Sequence, residues 1–282
     1  MSGVTRAGIA DDPLAGGEAT PVARAQATAE GRRRIALLGA RAAVGLALLG
    51  LWQFASGRLI DPFFISAPDA VFARLWQWIT DGTLVFHLSY TLYATALGFA
   101  IGALGGFALG FLLGRSEALA VVLDPYITAI YCLPKIALAP LFIMWFGIGI
   151  ESKIAVAAVI VFFLVFLNTF AGVRDVNPVH VNAVRIMGGG AWALLRKGIL
   201  PSAAAWVFTG LKVSVPYALI GAVVGEMMSS NRGIGFLIGQ STAMFDTAST
   251  FAGLVVLAVA GATINAALKQ LERHVLRWKA PA

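Results

Sequence analysis

Lys135 lies between two prolines in an apolar stretch, Leu133-Pro134-Lys135-Ile136-Ala137-Leu138-Ala139-Pro140. In lipid a cation at such a place costs several kcal/mol unless it faces water, carbonyl oxygens or a counter-ion. It can therefore draw an anion along a pathway, or satisfy carbonyl oxygens that Pro134 leaves without a donor. Glu226 stands in another apolar stretch, within Gly225-Glu226-Met227 and shortly before Gly233-Ile234-Gly235. Its carboxylate can pair with Arg232 and gate one end of a pathway, or serve as a structural hydrogen-bond acceptor. Asn168 and Asn265, inside apolar runs, are explained by hydrogen bonds between helices. Ser214 and Tyr217, beside Pro216, are lesser pathway candidates.

Covalent chemistry finds little support. The chain shows no nucleophile with a plausible base and no paired carboxylates at a defined spacing. It contains no G-x-x-x-x-G-K-[ST] stretch, so it has no phosphate-cradling loop, and energy for any work must come from a separate subunit or a gradient. His87, His180 and His274 are too far apart in sequence for metal-ligand spacing. Cys132, the single cysteine, excludes an intrachain disulfide and a cysteine-based metal cluster. The reading is a non-enzymatic chain that binds no cofactor of its own.

The elements that must position these residues are membrane helices. Of 282 residues 59% are hydrophobic and 12% charged, with a mean hydropathy of +0.83, so lipid is the natural solvent. The net charge of +7 does not point to nucleic acid, because the basic residues are dispersed among apolar segments. Residues 1–31 read as a disordered cytoplasmic tail, and residues 32–282 as one transmembrane domain. About six spans are predicted, near Ile35 to Phe54, His87 to Leu113, Tyr126 to Phe146, Ile154 to Val173, Ala204 to Met228 and Thr250 to Leu271. With both termini in the cytoplasm, most basic residues fall inside, among them Arg32, Arg33, Arg34, Arg115, Arg174, Arg185, Arg196 and Lys197. Only Arg58, Arg74, Lys153 and Arg232 fall outside.

Within this frame, Ser66-Ala67-Pro68-Asp69 opens a short helix at the outer interface, where Trp76 and Trp78 either sit at headgroup depth or pack on neighbouring spans. Gly98, Gly102, Gly106, Gly110 and Gly114 form a slanted groove on the second span that suits a crossing helix of the same chain. Pro125, Pro134 and Pro140 should kink or break the third span. Broken backbone at membrane depth is tolerated against protein or a watery cavity, so this span either lines the pathway or is merely kinked.

The longest inner loop, about residues 174–201, reads as two short amphipathic helices around Gly188-Gly189-Gly190. Its apolar residues, including Val184, Ile186, Met187 and Trp192, are too few for a core and must dock on the spans or on another protein. The loop resembles that of permeases of binding-protein-dependent importers, where the pattern is E-A-A-x3-G-x9-I-x-L-P. Here Ala183, Gly188, Leu200 and Pro201 match in register, while Asn182 replaces the acidic residue, Val184 an alanine and Gly198 the isoleucine. Leu123-Asp124-Pro125, Leu133 to Leu141, Trp145-Phe146-Gly147-Ile148-Gly149, Thr209-Gly210-Leu211-Lys212, Gly225-Glu226-Met227 and Gly233-Ile234-Gly235 resemble the sulfonate, taurine, nitrate and bicarbonate branch.

The resemblance implies an all-α, polytopic permease of the bacterial inner membrane, acting as a homodimer. Its implied partners are an ATP-binding subunit that uses ATP and Mg and an extracytoplasmic solute-binding protein. Asn182, Ala183, Gly188, Leu200 and Pro201 would form the ATPase-coupling element, and Lys135 and Glu226 would belong to the pathway or its gate. The solute would be small and anionic. An ion-coupled secondary transporter is the rival, and it should carry more intramembrane carboxylates and an internal repeat.

Overall fold

The computed structural model describes residues 21–176 and 178–275, which divide into a unit ending at Ala55 and a unit starting at Ser56. The first unit is one helix, α1 (Pro21–Ala55), whose stretch Ala36–Ala55 is long and apolar enough to cross a membrane. The helix reaches back further than its apolar part requires. Residues 21–31, expected to lack a packed element, are helical, in keeping with alternating alanines free of glycine between Val22 and Glu30. Residues 1–20 of the expected tail lie outside the described residues.

The second unit begins with α2 (Pro62–Ile65) and α3 (Pro68–Thr80), continues through α4 (Thr83–Gly114), and reaches a broken segment. There α5 (Glu117–Cys132) is followed by a 3-10 turn (Lys135–Leu138) and α6 (Ala139–Phe146). After α7 (Ile150–Arg174), the inner loop holds α8 (Pro178–Ile186), the short α9 (Ala191–Ala193) and a π-helical turn (Leu194–Ile199). The chain then runs through α10 (Leu200–Ser229), α11 (Ile234–Ala243) and α12 (Thr247–Val275). Among the described residues five helices are long and apolar enough to span a membrane, or six if α5 and the segment Lys135–Phe146, bent by 79°, count as one broken span. Five predicted spans are thus matched by continuous helices, and the third is broken rather than merely kinked.

The glycine groove of α4 accounts for the packing at the centre. A Cβ on Gly102, Gly106 or Gly110 would run into the carbonyl oxygens of Ala158, Phe162 and Phe166 on α7, well inside van der Waals contact. The match advances four residues on each helix at every step, so α4 and α7 meet backbone to backbone along their length. On its other side α7 meets α10, where Gly221 lies against Ala157 and Gly210 against Asn168. Ala103, Val161, Val165 and Ala218 form a buried cluster joining α4, α7 and α10.

These helices define two ends. The 30 residues of α10 rise about 45 Å from the inner loop at Leu200 to Ser229. At the loop end lie Gly114, Arg174 and Leu200; at the opposite end lie Thr83, Ile150, Ser229 and Thr247. Trp78 is buried, as the packing reading expects, while Trp76, on the other face of α3, is exposed. The loop departs from the expected pair of separate helices: α9 and the π turn run without a break into α10.

Candidate functional site

The end opposite the loop is organised around the reversal between α10 and α11. The first amide groups of a helix and its last carbonyls have no partner within the helix, and they carry partial positive and negative charge respectively. Here both sets are met by side chains from other elements. The backbone N–H of Gly233 donates to His87 Nδ1 (3.1 Å), that of Ile234 to Thr91 Oγ1 (2.8 Å) and that of Gly235 to Glu226 Oε2 (2.8 Å). Thr91 Oγ1 in turn donates to Glu226 Oε2 (2.9 Å). The carboxylate thus caps the positive end of α11.

Lys153 provides the opposite charge at the negative end of α10. Its Nζ donates to the carbonyl oxygens of Ser229 (2.5 Å) and Ile148 (2.8 Å), with the hydroxyls of Ser229 and Ser152 at 3.2 and 3.3 Å. Lys153 is 0% and Glu226 1% exposed, so the reversal is held by two ionisable side chains shielded from solvent. Gly233 (φ 101°) must be glycine twice over: its backbone is left-handed, and a Cβ would overlap the Glu226 carboxyl group. Glu226 Oε1 is buried without a hydrogen-bond partner among the described residues.

The hydrogen bonds that Glu226 accepts from Thr91 and Gly235 are those of a structural acceptor. The expected pairing with Arg232 is not among the ion pairs of the described residues, and the Arg232 guanidinium lies over the Phe86 ring at 5.6 Å. Lys153, read from the sequence as an outer loop charge, is instead an internal cap. The one signal that could have found it was its position inside the first turn of a long apolar helix, where a loop lysine does not belong.

Lys135 stands in the break of the third span, about halfway along α7. Leu133 is extended (ψ 134°), which removes the N–H that the Tyr131 carbonyl would receive from residue 135 in a continued α-helix. The Lys135 ammonium takes that place and donates to the Tyr131 oxygen. It also lies over the rings of Tyr131 (4.4 Å) and Phe163 (5.2 Å), whose faces attract a cation. Asn168, expected to bond across helices, donates to Leu164 of its own helix (2.8 Å). Ser214 is buried and donates to the Leu211 carbonyl, and Tyr217 is exposed.

At the inner loop α8 ends on Gly188 (φ 74°), with hydrogen bonds from Gly188 N–H to Arg185 O (3.0 Å) and Gly189 N–H to Val184 O (2.9 Å). Asn182 on α8 is exposed, Ala183 follows it, and open space surrounds the Cα of Gly188. Leu200 and Pro201 open α10. Two departures from the importer pattern are neighbours: a Cβ on Gly198, which replaces isoleucine, would stand 3.5 Å from Leu194 Cδ1 and 4.0 Å from a methyl of Val184, which replaces alanine. Ile186, Met187 and Trp192 remain 86%, 78% and 69% exposed. Lys135, Glu226 and the loop residues therefore occupy separate levels and form no single site.

Residues 102–278 match the model of the family described as the binding-protein-dependent transport system inner membrane component. The chain is 33% identical over 233 residues to the putative aliphatic sulfonates transport permease protein SsuC of Bacillus subtilis, covering 82% of this chain and 84% of that one. It is 34% identical over 234 residues to the riboflavin transport system permease protein RibX of Chloroflexus aurantiacus (83% and 87% covered). With the taurine transport system permease protein TauC of Escherichia coli it shares 30% identity over 232 residues (80% and 84% covered). Among solved structures, the MetNI methionine ABC transporter in inward-facing conformations shares the fold, with a TM-score of 0.56 at 17% identity over 65% of this chain and 94% of that one. A family match over more than half of the chain and relatives at 30% identity or more, covered over more than four fifths of their length, agree: the chain belongs to the inner-membrane permease subunits of binding-protein-dependent ABC importers.

Proposed function

We propose that two copies of this chain form the pathway of an importer for a small organic anion of the sulfonate or taurine class, driven by an ATP-binding subunit docked on the loop at residues 174–201. The observation that carries this reading is the loop itself, where Ile186, Met187 and Trp192 stand in the open beside the left-handed Gly188. Exposed apolar side chains next to a rigid helix end suit a protein groove and not water. Asn182, Ala183 and Gly188 would enter that groove, and Leu200 and Pro201 would carry its movement into α10, which leads directly from the loop to the far end.

Relatives of similar identity are named for sulfonates, taurine, riboflavin and formylaminopyrimidine, so names alone do not choose the solute. The anion is favoured by Lys135, a cation at mid-height whose charge is shared with a carbonyl and two rings but with no carboxylate among the ion pairs of the described residues. Solute capture before this step falls to an extracytoplasmic binding protein. Transport itself is a shift between two access states to which the ATPase binds unequally.

The test is purification of the tagged chain from mild detergent, followed by identification of co-purifying subunits and an ATPase assay. A stoichiometric nucleotide-binding subunit, released by Gly188→Asp, supports the docking assignment. Retention of that subunit by the variant, with uptake unchanged, rejects the loop as the docking site.

A further inference from the structure

At the end opposite the loop, the corner between α11 and α12 carries an aromatic cluster that the importer reading does not use. Phe245 has φ 58°, a left-handed backbone that costs a residue with a side chain about 1–2 kcal/mol. The ring it turns outward is 71% exposed, stacks on Phe63 at 5.8 Å, and is joined through Phe63 to Phe64, which is 69% exposed. The corner is built rather than loose. Asp246 accepts hydrogen bonds from the Ser249 N–H (3.0 Å) and hydroxyl (2.6 Å), and pairs with Arg74 of α3 at 3.1 Å; Thr247 donates to the Phe63 carbonyl.

We propose that this cluster is a membrane anchor: Phe63, Phe64 and Phe245 insert at the boundary between headgroups and acyl chains and fix the depth of α3 and α12. The height of the corner supports this. Phe245 precedes the apolar span Thr247–Glu272 by two residues, which is where a span meets the interface. On the same two helices Val255 and Val259 of α12 and Phe72 and Trp76 of α3 are exposed and line one apolar cleft along the span. A soluble partner cannot reach down the side of a span, whereas lipid can cover both the cleft and the corner. Arg74 and Asp246 then lie at headgroup depth beside the rings, the arrangement that aromatic belts use.

The experiment uses the complex as it purifies, reconstituted in lipid nanodiscs, with Cys132→Ser and a nitroxide on Phe245→Cys or on Phe64→Cys, and the free water-soluble nitroxide as the aqueous reference. Phe64 lies in the helical α2, so its label reports the cluster even if the 245 variant relaxes the left-handed corner. Collisions with oxygen relative to those with a nickel chelate should be well above the aqueous reference at Phe64 and Phe245, with no change when the solute-binding protein is added. Nickel accessibility equal to that of the free nitroxide would overturn the anchor. So would protection that appears only with the binding protein, which would assign the patch to that partner instead.

Discussion

The two ends of the long helix α10 are finished in opposite ways. At Ser229 the chain completes itself: Lys153 meets the last carbonyl, while His87, Thr91 and Glu226 meet the first amides of α11, and both charges are out of solvent. At Leu200 the chain is left incomplete. Ile186, Met187 and Trp192 are exposed, and open space surrounds Gly188. The groups named at the Ser229 end have partners among the described residues, Glu226 Oε1 being the exception, and a buried polar group left without one costs about 1–3 kcal/mol, so this end holds its shape. On the proposed reading, the end with apolar side chains in the open is finished by the ATP-binding subunit. Force would then enter at the loop, since a push there can move α10 as a rod only if its far end does not unravel.

That comparison can be broken most severely in the block between the ends. Gly106→Leu places a side chain where the Phe162 carbonyl already stands, and overpacking of even relaxed cores costs about 1–3 kcal/mol. Here backbone must move, so folded protein should disappear from the membrane, as read by immunoblot and protease resistance; normal abundance would refute backbone contact between α4 and α7. Lys153→Met should come next. It leaves the Ser229 and Ile148 carbonyls and the Glu226 charge uncompensated, at roughly 3 kcal/mol, and lowers the melting temperature measured in detergent. An unchanged melting temperature would mean that the cap is ornamental.

The loop end should respond in another currency, activity without stability. Gly198→Ile alone should weaken coupling of ATPase to uptake several-fold by pushing on Val184, and Val184→Ala added to it should restore coupling. A double variant no better than the single one denies the contact. Lys135→Met should slow uptake of an anionic solute with abundance and ATPase binding intact, and equal uptake would remove the lysine from the pathway.

The smallest effect belongs to Asp246, outside the spans. Partial burial pushes its carboxyl up, but the Ser249 hydroxyl and N–H and the Arg74 charge outweigh this and hold it below the ordinary carboxylate range. Its folded value is therefore depressed, so its stabilisation is present above about pH 4 and is lost as pH falls through the lowered value. On a partly exposed pair this amounts to less than about 1 kcal/mol, visible as a steeper fall of melting temperature on acidification for wild type than for Asp246→Asn.

Much of this molecule was legible from local pattern. Apolar runs gave the spans because lipid leaves a backbone little choice but the helix. The four-residue glycine step gave the crossing helix, and the prolines around Lys135 gave the break, because both act on backbone geometry near their own position. The family was recognisable from Ala183, Gly188, Leu200 and Pro201 in register.

Lys153 was misplaced for the converse reason. Nothing near it in sequence shows that Ser229, 76 residues on, will bring a carbonyl to its ammonium. Likewise, Glu226 and Gly233-Ile234-Gly235 could be noticed as neighbouring patterns, yet the partnership with His87 and Thr91 joins them to residues on α4, 135 to 146 positions away. The sequence by itself determined which segments are apolar enough to enter the membrane and where one of them breaks, since hydrophobicity, proline and glycine act locally. Only the tertiary structure decided which charges cap which helix ends, because that depends on what packing brings within 3 Å of an otherwise unpaired amide or carbonyl.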